Sequence, residues 1–103
     1  MTRKSAHTTF KNIKTIITYD LSPCEISSQD ICEQDKRFHD FISFEDDGSY
    51  ELPYTTLRTK LNRKDAIEAF KNAVKKASDG NETITRLFVV EVDGKNGFIE
   101  NNE

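Results

Sequence analysis

From Asn62 to Gly80 the apolar residues recur at helical spacing. At about 100° per residue, Ala66, Ile67, Phe70, Ala73, Val74 and Ala77 gather on one side, while Lys64, Glu68, Lys71, Asn72 and Lys75 lie opposite. The end signals agree with a single helix. Asn62 supplies a side-chain acceptor at the N-cap, Asp65 places negative charge in the first turn, Lys75 and Lys76 place positive charge in the last, and Gly80 suits a left-handed terminus. The apolar side requires a surface to lie on, and its alanines permit close approach to a sheet.

Elsewhere the period falls to two. Asn12–Tyr19 is rich in Ile and Thr, with Ile13, Ile17 and Tyr19 on one side and Ile16 on the other, which predicts a strand. Phe38–Glu45 and Tyr50–Leu57 flank Asp46-Asp47-Gly48-Ser49, a turn-forming run, and read as an antiparallel hairpin. Pro53 has no N–H for a ladder, so its strand is expected to be an edge or to carry a bulge. Thr83–Val92 is apolar on both faces towards its end and is expected to be a central strand. A turn over Asp93–Gly97 leads to a short last strand at Phe98-Ile99. The segment Leu21–Arg37 is polar; it reads as a loop in which Ser27-Ser28-Gln29-Asp30 opens a short helix through Ile31 and Cys32.

The order β-loop-β-β-α-β(β) gives the α+β class: a mostly antiparallel sheet of four to five strands packed by one long helix in the C-terminal half. With 103 residues the chain is expected to be one domain, residues 1–103, with flexible ends at 1–9 and 100–103.

Charge changes this picture more than composition does. Residues 1–19 hold four cations and no acid, and residues 20–51 hold ten acids against Lys36 and Arg37. Residues 52–79 are again net positive and 80–103 net negative, so the formal net charge of −3 conceals a sorted surface. Sorted charge directs which macromolecule is attracted. No run approaches the length of a membrane span, and the first residues lack the apolar stretch of a secretory signal, so the expectation is a cytoplasmic protein without a membrane partner. Cys24 and Cys32 are expected to be reduced thiols, since their separation is not that of a Cys-x-x-Cys site.

Candidate chemistry is sparse. His39, Cys24 and Cys32 could supply a Cys–His pair or part of a zinc site, but nothing local supports the first and a fourth ligand is missing for the second. Glu45, Asp46 and Asp47 do not follow the alternation of a calcium loop. P-loop, Gly-x-Ser-x-Gly and dinucleotide fingerprints are absent. The chain is therefore read as a non-enzyme without cofactor or metal.

Two kinds of partner follow from the charge blocks. An acidic loop and hairpin, with Glu45, Asp46 and Asp47 at its tip and Tyr50 as an aromatic anchor, suits a target protein with a basic surface, as inhibitors, immunity proteins and antitoxins do. The alternative is nucleic acid, held by Arg58, Lys60, Arg63, Lys64, Lys71 and Lys75 at the strand-to-helix junction and along the helix. The acidic overall charge opposes that alternative. Phe44–Tyr50, followed by Asp65-Ala66 and Asn72-Ala73, is similar to the strand, turn and helix of HicB-type antitoxins, although the Pro-Gly-Cys-like segment between strand and helix is missing, so no family is assigned. Monomer and homodimer are both compatible with these readings.

Overall fold

A computed structural model describes residues 3–8, 13–44, 48–92 and 97–102. The strands are β1 (Arg3–Thr8), β2 (Thr15–Ser22), β3 (Phe38–His39), β4 (Phe41–Phe44), β5 (Gly48–Glu51), β6 (Thr56–Thr59), β7 (Thr83–Glu91) and β8 (Gly97–Asn102). The helices are α1 (Ser28–Gln34) and α2 (Arg63–Ser78). The fold is α+β, as the periodicities require. Its main sheet has the order β3-β6-β2-β7, all neighbours antiparallel, with β1-β8 and β4-β5 as separate two-stranded sheets.

In the main sheet the chain passes β2-α1-β3-β6-α2-β7, a split βαβ arrangement with both helices on one face. Strand parity decides which residues meet them. On β2, Thr15, Ile17, Tyr19 and Leu21 are buried and Thr18, Asp20 and Ser22 are exposed. Ile17, Tyr19, Leu21 and Leu57 join Ile31 of α1, Phe38, and Ala66, Ala69, Phe70, Ala73 and Val74 of α2 in one core. Phe70 is its centre, with its ring 4.9 Å from that of Tyr19 and 6.2 Å from that of Phe38.

Both helices start as their sequences dictate. The Ser27 hydroxyl accepts the Asp30 amide (3.1 Å), and the Asp30 carboxylate accepts the Ser27 amide (2.8 Å), a reciprocal capping box. Asn62 caps α2 by accepting the Asp65 amide at 2.8 Å. At the other end Asp79 (φ 52°) and Gly80 (φ 78°) are both left-handed, and the Gly80 amide donates to the Lys75 carbonyl at 2.9 Å.

Three elements differ from the sequence expectation. Thr83–Val92, expected at the centre, supplies β7 at the edge, and the central strands are β2 and β6. Tyr50–Leu57 is not one strand: it breaks at Leu52–Thr55, around Pro53, so that β5 pairs with β4 and β6 enters the main sheet. Missing its N–H, Pro53 cannot continue a ladder, which is why the break falls there. Residues 3–8, expected to be a flexible end, pair with 97–102, where a short last strand is expected at Phe98-Ile99 and a flexible end only at 100–103; the ladder runs from Arg3↔Asn102 to Thr8↔Gly97. No helix among the described residues is long and apolar enough to cross a membrane.

Candidate functional site

The β4–β5 hairpin is built by the pairs Phe41↔Glu51, Ile42↔Tyr50, Ser43↔Ser49 and Phe44↔Gly48. This register makes residues 45–47 the connection. Glu45, Asp46 and Asp47 themselves lie outside the described residues. Tyr50 is half-buried opposite the buried Ile42, so its ring is partly committed inward. Glu51 at the hairpin base is exposed.

Arg58 ties the hairpin to the main sheet, and a bond from the Leu52 amide to the Asp40 carbonyl (2.8 Å) extends the β4–β5 ladder at its base. Arg58 Nε donates to the Phe41 carbonyl at 2.5 Å, and the guanidinium carbon lies 5.2 Å from the centre of the Phe41 ring. The His39 ring meets Phe41 edge-on at 5.7 Å. Burial lowers the pKa of Arg58, though a guanidinium remains charged. Burial also lowers that of His39, assisted by the charges of Arg58 and Lys60 and opposed by Asp40.

Pairing across the main sheet places His39, Arg58, Ile16 and Val90 in one row of the face that carries no helix, with Thr56, Thr18 and Phe88 in the next. Phe88 is 64% exposed there, while Arg86 and Asp20 make a long surface ion pair at 3.9 Å. Arg58 thus belongs to the open face.

The other basic candidates belong to the helical layer. Lys64, Lys71 and Lys75 are exposed and fall within roughly 40° of one another around α2. Arg63 is its first residue, and Lys60 is exposed just before it. The structure therefore brings the three helix lysines together and separates them from Arg58 by the thickness of the sheet. At the α2 N-terminus, where a phosphate would sit, the Arg63 amide already donates to Glu91 Oε1 (3.2 Å) and Asn62 and Asp65 complete the cap.

Sequence reasoning missed Glu82. Its carboxylate accepts the backbone amides of Cys24 (2.7 Å), Glu25 (2.5 Å) and Ile26 (3.1 Å), which converge after the cis Ser22–Pro23 bond with Cys24 at φ 67°. Residual desolvation raises its pKa, but the three amide bonds together outweigh this and leave it lowered. No local pattern announces the pairing, because donor and acceptor are joined only by the fold.

Tyr19 shows the same dependence on distant parts of the chain. Its pKa is raised, chiefly by burial and then by Cys32, Tyr54 and Cys24, against a hydrogen bond from Ser28. Cys24 and Cys32 are free, and burial, with Asp40 adding to it, pushes the Cys32 thiol up to about 11. Such a thiol is a poor nucleophile at neutral pH. Among the described residues no group of three or more His, Cys, Asp or Glu is placed to hold a metal ion. Compared with protein-family models, curated proteins and solved structures, the chain has no match.

Proposed function

We propose that the protein is a small non-enzymatic binding module that presents the β4–β5 hairpin to a basic surface on a target protein and thereby inhibits or regulates it. The observation that supports this reading is the hairpin's independence. It forms a two-stranded sheet of its own, and its register makes the run of three acids its connection, flanked by Tyr50 on β5 and by Glu51 at the base. A run of acids in a hairpin connection accelerates encounter with a positive partner and rejects acidic ones. The experiment is capture of a partner from the native host by the tagged chain, with and without nuclease, beside the triple variant Glu45→Lys, Asp46→Lys, Asp47→Lys. The reading expects one nuclease-resistant partner whose association rate falls at low salt in the variant. An unchanged association rate sinks it.

The line of Lys64, Lys71 and Lys75 favours one second reading, a nucleic-acid-binding regulator that also uses Arg63, Lys60 and Arg58. Fluorescence anisotropy with labelled DNA and RNA at low ionic strength decides it. Binding that weakens steeply with salt is required.

A further inference from the structure

β7 is a nine-residue strand at the edge of the main sheet. Natural edges are usually blunted by lysine, proline, a bulge or a covering segment. β7 contains neither lysine nor proline. Its one irregularity is the register shift where Asp20↔Arg86 gives way to Leu21↔Ile84, which sets Thr85 aside and leaves Arg86–Glu91 regular. Among the described residues no backbone hydrogen bond reaches its outer side.

The direction of the free groups follows from the ladder. The Val92 amide donates to the Lys14 carbonyl at 2.8 Å, and the register continues through Ile16↔Val90 and Thr18↔Phe88. Alternation in an antiparallel pair then gives the even residues Phe88 and Val90 to β2 and turns the N–H and C=O of Leu87, Val89 and Glu91 outward. The outward residues therefore offer a ladder to another strand.

We propose that β7 pairs antiparallel with β7 of a second copy about a two-fold axis at Phe88, joining the two four-stranded sheets edge to edge. The sequence of β7 is self-complementary in this register. Phe88 meets Phe88 of the copy at a non-hydrogen-bonded site, where side chains approach most closely. Leu87 faces Val89, Arg86 faces Val90 and Glu91 faces Thr85, so no like charges are opposed. A register centred on Arg86 would set that cation against itself. Pairing also removes Phe88 from water, which is 64% exposed in the single chain. This inference rests on β7 and not on the hairpin, so either can fail without the other.

Salt separates the two contacts. Backbone hydrogen bonds and apolar burial hold the edge, and in the register centred on Phe88 no opposite charges face each other across it. Added salt therefore does not weaken the edge contact, whereas it weakens an acidic hairpin on a basic target.

The test is sedimentation velocity of the full chain from micromolar to millimolar concentration, beside Phe88→Lys with its fold checked by circular dichroism. The native chain is expected to pass from monomer to dimer and Phe88→Lys to remain monomeric. Register is read by oxidising Phe88→Cys and Arg86→Cys, each in a Cys24→Ser, Cys32→Ser background, with copper phenanthroline. Facing residues at a non-hydrogen-bonded site are about 4.5 Å apart at Cα, within disulfide reach, whereas Arg86 is roughly 13 Å from its counterpart. Cross-linking of Phe88→Cys alone is expected. A chain monomeric throughout, a dimer indifferent to Phe88→Lys, or equal cross-linking at Arg86 overturns the proposal.

Discussion

Glu82 is the residue whose role most exceeds its appearance. Four residues past the end of α2, it closes the loop after β2 by receiving three amides at once, and so ties the start of α1 to the start of β7. The carboxylate is more acidic in the folded chain than in the unfolded one. The unfolded state therefore binds more protons in the window between the two values, and stability rises with pH there. The contribution is complete above the ordinary glutamate range near pH 4.3 and is lost as pH falls through the lowered value. Glu82→Gln should unfold at lower urea than the native chain at neutral pH, and the difference should shrink to nothing in strong acid. A difference that persists unchanged in acid would show that the carboxylate charge is not what the loop uses.

At the scale of elements, what was legible in the sequence depended on how local the signal is. α2 carries its own evidence, from Asn62 at one end to Gly80 at the other, and its boundaries follow. β2 was legible from Ile13, Ile17 and Tyr19, which sit on the buried side as alternation requires. β7 was misplaced because its apolar residues on both faces mimic a central strand. Leu87 and Val89 face the helices while Val90 and Phe88 line the open face, and no sequence pattern states that the second group stays uncovered. The hairpin split is foreshadowed by Pro53, but the four residues from Leu52 to Thr55 that separate the two ladders cannot be apportioned from period alone. Two phenylalanines measure the difference between the faces. Phe70→Ala empties the centre of the core, where the residue is fully buried between Tyr19 and Phe38, and should cost about 3–5 kcal/mol. Phe88→Ala, in dilute protein, should stay within about 0.5 kcal/mol of the native chain. Comparable losses by chemical denaturation would mean that the open face is covered.

Across the whole molecule the sorted charge falls on different elements. The acidic run falls in the connection of the hairpin that follows β3, at one edge of the main sheet, whereas Lys64, Lys71 and Lys75 share the exposed side of α2, whose first amide is held by Glu91 of β7. Acid and base are thus carried by separate elements, the hairpin and the long helix. The net charge of −3 is a sum over these two elements and the rest of the chain. Replacing Glu45, Asp46 and Asp47 by their amides removes three negative charges and brings the formal net charge to zero without touching α2. If the acidic run and the helix lysines act independently, this variant should gain weak, salt-sensitive affinity for DNA through Lys64, Lys71 and Lys75, because the repulsion that kept a polyanion away is removed. Adding Lys64→Gln, Lys71→Gln and Lys75→Gln should abolish the gain. Anisotropy titrations at low ionic strength follow both steps. Affinity that survives loss of the three lysines would place the basic surface elsewhere, on Arg58 and the open face.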